Sequence, residues 1–180
     1  MIIDKLLPQE LEDEVHRVIM HGNFPWNWNA ENIIPETPDE DIFQMTHVFL
    51  LQRAIWSKNF ALVNGIVGYF IEKTGIKLKR VERIKANLIP NIAHKPESLD
   101  NLIHPDVDLD RPGKFITFVY YVTDSDGDTV VFEDDKKTER FRSPPVKGAC
   151  VWFDSKTYHR SSVPLNHKRR VVINFILEVE

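Results

Sequence analysis

Cysteine occurs once, at Cys150, so no disulfide can close within the chain, and a metal site built from several thiolates is excluded. One lone thiol suits a reducing cytoplasm. No apolar run approaches the roughly 20 residues that span a bilayer. The opening Met1-Ile2-Ile3-Asp4 lacks a basic segment followed by an apolar stretch and a small-residue cleavage site, so a cytoplasmic protein without signal peptide or membrane span is expected. Charge of one sign is missing too. The 23 Lys and Arg stand against 27 Asp and Glu, for a net charge of -4. That leaves neither the basic field that holds nucleic acid by counterion release nor a like-charge tail. Repeats, low-complexity tracts and linkers are also absent. At 180 residues and 42% hydrophobic, the chain can fill one core and is short for two domains, so a single domain over 1–180 is expected.

What is present divides by period. Leu11, Val15, Val18 and Ile19 recur at helical spacing, with Pro8 where a first turn tolerates it and Gly22 where a helix ends. Phe60, Val63, Val67, Phe70 and Ile71 form a second such segment that stops at Gly75. Between them, Phe24-Pro25-Trp26-Asn27-Trp28 and the stretch Pro35 to Asp41 read as an aromatic loop followed by a polar one. The aromatic loop is either core packing or a lid that touches substrate. From about Lys79 the period changes to two. Ile84, Ala86 and Leu88 alternate with Arg83, Lys85 and Asn87, and strand-like segments follow at Lys114 to Thr123, Val130 to Phe132, Gly148 to Phe153 and Arg170 to Val179. Asp124-Ser125-Asp126-Gly127-Asp128 is expected to form a tight turn with Gly127 available for positive φ. Helices first and strands after predict an α+β fold. Residues 1–78 form mainly helical support packed on one sheet, and 79–180 form the core of a double-stranded β-helix, or jelly roll.

His104-Pro105-Asp106 carries the most chemical information. On an extended strand, residues i and i+2 share a face, so His104 and Asp106 can reach one metal while Pro105 points away. Alone, such a triplet is more often a surface pair. Its position before a strong strand raises its weight, and His159, just after another strand, can be folded back against it. His16 and His21 belong to the first helix and its end, His47 to a separate helical or strand segment, and His94 and His167 to polar loops; none is both partnered by a carboxylate two residues away and followed by an arginine-led strand. His159 is the best third ligand and His94 a weak substitute. Two histidines and one carboxylate are the ligand set of the facial triad of non-haem Fe(II) oxygenases, which leaves the opposite metal face open.

A dicarboxylate cosubstrate needs a fixed cation, and arginine's planar fork meets that need. Lys168, Arg169 and Arg170 precede Val171-Val172-Ile173-Asn174-Phe175-Ile176-Leu177. By strand period, Arg170, Val172, Asn174 and Ile176 share one face and Arg169, Val171, Ile173 and Phe175 the other. A polar Asn174 on Arg170's face inside so apolar a strand marks that face as a pocket wall, and selects Arg170. The competing reading makes both arginines solvated strand-end charges.

At these residues the chain resembles the Fe(II)/2-oxoglutarate-dependent dioxygenases of the prolyl 4-hydroxylase-like branch, particularly the short single-domain versions carried by bacteriophages. Phe115-Ile116-Thr117-Phe118-Val119-Tyr120-Tyr121-Val122 is similar to the strand ending in a YYLN motif. Asp126-Gly127-Asp128-Thr129-Val130-Val131-Phe132 resembles the GGETxF segment, and Pro145 to Phe153 the PxxGxAxxF strand. His159, Val163-Pro164 and Arg170 resemble the closing HxVxP...R pattern, with one extra residue between His159 and Pro164. Asp128 replaces the usual glutamate, and Thr123 stands where YYLN has asparagine.

The resemblance implies that His104, Asp106 and His159 are iron ligands and catalytic residues, and that Arg170 is the partner of the 2-oxoglutarate distal carboxylate. It further implies Tyr121 and Asn174 as cosubstrate hydrogen-bonding groups and Asn87, facing as Arg83 and Lys85 do, as a residue that looks into the site. It implies Fe(II), 2-oxoglutarate and O2, with ascorbate as a supporting reductant, and release of succinate and CO2 as a C–H bond is hydroxylated. The expected substrate is a prolyl residue in a peptide or protein. A free amino acid, small metabolite or nucleobase is the alternative. A cupin-like metal-binding module without activity is a third reading, which has no need of a pocket cation such as Arg170.

Overall fold

The fold is taken from a computed structural model, which describes residues 1–29, 43–91 and 103–180. The stretch Pro35 to Asp41 and His94 lie outside the described residues. Helix α1 (Gln9–Ile19) starts after Pro8, whose fixed φ suits a helix entry and whose missing N–H costs nothing there. It buries Val15 and Ile19. Helix α2 (Phe60–Thr74) buries Val63, Ile66, Val67 and Phe70 and ends at Gly75, which adopts φ 69°, the left-handed cap that favours glycine. No helix among the described residues is long and apolar enough to cross a membrane.

The strands are β1 (Ile2–Ile3), β2 (Asn27–Asn29), β3 (Gln44–Leu51), β4 (Ala54–Ile55), β5 (Leu78–Pro90), β6 (Lys114–Tyr121), β7 (Thr129–Phe132), β8 (Glu139–Ser143), β9 (Cys150–Asp154), β10 (His159–Ser161) and β11 (Arg169–Val179). They form an eight-stranded sheet, in the order β1-β9-β6-β11-β5-β3-β2 with β4 on β3, and a three-stranded sheet in the order β10-β7-β8. Both are antiparallel throughout. Two sheets faced in this way, with helices outside, are the expected jelly roll.

The alternation of β11 explains the layering. Val171, Ile173, Phe175 and Leu177 join Phe118, Ile84, Ala86 and the apolar faces of both helices in the main core. There the rings of Phe70, Phe118 and Phe175 stack at 4.2 and 4.1 Å. Val172 turns the other way and packs with Val119, Tyr121, Val131, Val151 and Phe153 between the two sheets. One sheet face therefore carries the helices and the other lines an interior between sheets.

Three expectations change. The first 78 residues are not only helical: β3 lies beside β5 in the large sheet, because Met45, His47 and Phe49 alternate with Thr46 and Val48 and so fit a strand buried against helices. The aromatic loop divides: Phe24 is buried against His47 and Phe49, whereas Trp28 lies on β2, stacked on Phe43 and exposed. The Asp124 to Asp128 segment is no hairpin turn, since it joins β6 of the large sheet to β7 of the small one. Gly127 is not among the positive-φ glycines. A side chain there would instead meet the Ser162 carbonyl oxygen at 2.6 Å and Arg170 Cδ at 3.0 Å, so close approach is what requires glycine.

Candidate metal and cosubstrate site

His104 sits at a single antiparallel bridge with His159, each backbone N–H donating to the other's carbonyl at 3.0 Å. This adds His104 to the β10 edge of the small sheet and brings the two imidazoles to 4.6 Å between ring centres. The Asp106 N–H donates to the Ser155 carbonyl at 2.9 Å, turning its carboxylate inward. Ligand atoms of His104, Asp106 and His159 all lie within 4.8 Å of one another. Two imidazoles and one carboxylate, converging from one side, fit a facially bound divalent metal with open positions opposite. His159 Nδ1 lies 3.0 Å from the Thr157 carbonyl, which requires the proton on Nδ1 and leaves the Nε2 lone pair for the metal. That Nε2 is 3.4 Å from Asp106 Oδ2.

Asp106 is held from several sides. Arg83 donates from one amino group to Asp106 Oδ1 at 2.5 Å and to Asn174 Oδ1 at 3.0 Å. Thr117 donates to Asp106 Oδ2 at 2.9 Å, and Asn174 Nδ2 donates to it at 3.2 Å. Burial by itself would raise the carboxyl's pKa, but Arg83, followed by His159 and His104, outweighs burial and holds it well below the usual range. The carboxylate is thus held ionised and oriented by its own surroundings.

Arg170 behaves as its register predicts. It is 2% exposed, while Arg169, one position earlier, is exposed. Its guanidinium donates to Thr129 Oγ1 at 2.8 Å, and its Nε is buried without a partner among the described residues. Burial lowers its pKa, with Tyr121 and Asp128 opposing the shift. No carboxylate is paired with it among the described residues. An unneutralised buried guanidinium is costly unless an anion completes it.

The remaining candidates divide. Tyr121 is buried beside Arg170, ring centre to guanidinium carbon 6.0 Å, but its hydroxyl already lies 2.9 Å from Thr129 Oγ1 and 3.0 Å from Ser143 Oγ. It braces the arginine's neighbour. Asn174 contacts Asp106 and Arg83, so its place is beside that carboxylate. Asn87 shares the face of Arg83, and its Oδ1 is buried without a partner among the described residues. His47, set aside as a ligand, is satisfied by Pro25 O and Ser57 Oγ at 2.9 and 2.8 Å. Sequence reasoning missed Arg83 and Thr117 as supports of Asp106. Parity could have found both: Thr117 alternates in step with Val119 and Tyr121, and Arg83 with Asn87.

No protein-family model matches the chain, and no curated protein sequence matches it. Solved structures do. A prolyl-4-hydroxylase from Pseudomonas putida superposes with a TM-score of 0.61 at 16% identity, over 100% of this chain and 92% of that one. A prolyl hydroxylase from Trichoplax adhaerens, in complex with a peptide fragment of the hypoxia inducible factor oxygen degradation domain, gives 0.69 at 12%, over 99% and 82%. A 2OG-Fe(II) oxygenase family oxidoreductase from Burkholderia pseudomallei gives 0.65 at 11%, over 96% and 80%. The chain has the fold of these prolyl hydroxylase and 2OG-Fe(II) oxygenase structures, and a His-Asp-His cluster is present within it.

Proposed function

We propose that the protein is an Fe(II)- and 2-oxoglutarate-dependent dioxygenase that hydroxylates an unactivated C–H bond, with a prolyl residue of a peptide or protein as substrate. The observation that carries the reading is Arg170: a buried guanidinium, unneutralised among the described residues, in a chain that also assembles a two-histidine, one-carboxylate cluster. A metal-binding module has no use for that cation. Bound together, Fe(II) and 2-oxoglutarate supply oxidation of a C–H bond by O2, with release of succinate and CO2.

The chain's own residues do the rest. His104, Asp106 and His159 hold the metal. Thr157 fixes the His159 tautomer, while Arg83, Asn174 and Thr117 fix the Asp106 carboxylate. Arg170, steadied by Thr129 and through it by Tyr121, takes the distal carboxylate of 2-oxoglutarate. The apolar interior of Val119, Val131, Val151, Phe153 and Val172 excludes water and strengthens that ion pair. A peptidyl substrate draws support from the prolyl hydroxylase neighbours, one of them solved with a peptide. A second reading, a free amino acid or other small molecule, is favoured by Lys85 on the site's face, which has no partner among the described residues.

The test is uncoupled turnover: succinate formed from 2-oxoglutarate with Fe(II), ascorbate and O2. Wild type should release succinate and His104→Ala only background. Equal release by the two would leave the metal-binding module as the better reading.

A further inference from the structure

Lys85 has no part in the chemistry above. It lies on β5 between Arg83 and Asn87, and the period of two places all three on the face that lines the site. Its cross-strand partners are Asn174 on β11 and Val48 on β3, so it stands next to the residue that braces Asp106. The side chain is half-buried, yet its ammonium makes no hydrogen bond or ion pair among the described residues. The other cations of this face are engaged, Arg83 by Asp106 and Asn174, and Arg170 by Thr129. Burial pushes the Lys85 pKa down to about 8, with Arg83 adding to the fall and Asp106 opposing it, which leaves the group mainly cationic at neutral pH. Holding such a charge without a partner is costly, and an anionic ligand would relieve that cost.

2-Oxoglutarate does not supply the match. It has two carboxylates, one for the metal end of the site and one for Arg170, so Lys85 faces a further anion. Two residues along the same strand face, the buried Asn87 Oδ1 has no donor among the described residues. At neutral pH 2-oxoglutarate carries acceptors only, so the donor for that oxygen comes from another molecule, and an N–H meets the need. A carboxylate with an amine close by is the chemistry of an α-amino or imino acid, and proline itself joins this demand to the prolyl reading.

Resting on the oxygenase reading, we propose that Lys85 and Asn87 form a substrate subsite for an amino or imino acid with a free α-carboxylate, the carboxylate on Lys85 Nζ and the amine N–H on Asn87 Oδ1. This subsite favours the second substrate reading above, a free amino acid, over the peptidyl one, and leaves the proposed Fe(II) and 2-oxoglutarate chemistry unchanged. A charge-assisted hydrogen bond to a desolvated ammonium discriminates strongly between an acid and its neutral amide.

The experiment loads the protein with Mn(II) and 2-oxoglutarate without O2 and measures by calorimetry the binding of each of the twenty common amino acids and of its α-carboxamide. At least one acid should bind tenfold or more tighter than its amide. Lys85→Met should erase that preference, and Lys85→Arg should retain part of it. Should the methionine variant not fold, Lys85→Gln makes the same comparison. The subsite is overturned if no acid outbinds its amide in the wild type. It is equally overturned if Lys85→Met removes 2-oxoglutarate binding, which would assign the lysine to the cosubstrate. Wild type that fails to bind 2-oxoglutarate in the presence of Mn(II) sinks the oxygenase reading itself, a result distinct from the other two.

Discussion

Arg169 and Arg170 are adjacent and chemically identical, yet one is exposed and the other is among the largest fully buried side chains of the fold. The difference is parity alone, since neighbouring strand residues point to opposite faces. Arg170→Ala should therefore abolish 2-oxoglutarate binding to the Mn(II)-loaded protein, a loss of roughly 2–5 kcal/mol for truncating one partner of a buried charge pair. Arg169→Ala should leave the affinity within a factor of about two, since surface substitutions act weakly. Calorimetric titration reads both; the opposite pattern would place the pocket on the other strand face. The His104, Asp106, His159 and Arg170 positions were legible because each has a distinctive residue type at a distinctive spacing. Asn174 was legible as a pocket residue, but its partner was not. Its bond to Arg83 joins residues 91 apart in the chain, and only strand pairing decides such a contact.

Elements differ in how openly the chain announces them. Both helices have apolar stripes, and Pro8 and Gly75 mark the start of α1 and the end of α2 by local rules, whereas α1 stops at Ile19, short of Gly22. Strands β8 and β10 escaped notice because Glu139–Ser143 and His159–Ser161 are short and polar, and gain strand geometry only by pairing with β7. The segment before β11 is also organised from a distance. Asp126 accepts the backbone N–H of Asn166 at 2.7 Å, and those of Leu165 and His167 at 3.2 Å. Next to Asp126, Gly127 leaves no room between the Ser162 carbonyl and Arg170 Cδ. Gly127→Ala must push one of them aside, so it should destabilise the protein by about 1–3 kcal/mol, as overpacking does, and weaken 2-oxoglutarate binding through the displaced Arg170. Thermal melting and cosubstrate titration together check this; a variant with wild-type values in both would show that the loop yields freely.

Across the whole molecule, the two sides of the large sheet divide the work. One is filled by the helices and the Phe70-Phe118-Phe175 stack, and this apolar burial stabilises the fold. The other holds Asp106 and Arg83, which pair with each other, and Lys85 and Arg170, which pair with no carboxylate among the described residues and whose desolvation opposes folding. Ligands that bind only the folded state must therefore stabilise it, by about 2.7 kcal/mol at a concentration one hundred times Kd. Mn(II) with 2-oxoglutarate should raise the melting temperature, a chelator should reverse the rise, and His104→Ala should show neither effect. A wild-type melting curve unmoved by both ligands would contradict this account of the interior.

By itself, the amino-acid sequence determined the start of α1 and the end of α2, the strand parity that buries Arg170 and not Arg169, and the candidate His-Asp-His set, because each follows from residue type and a local period. Only the tertiary structure decided that β3 extends the sheet beside β5, that Arg83 and Asn174 close on Asp106, and that Lys85 stands beside them without a partner among the described residues. Those outcomes depend on which strands become neighbours, and neighbour choice is set by burial and pairing across the whole chain.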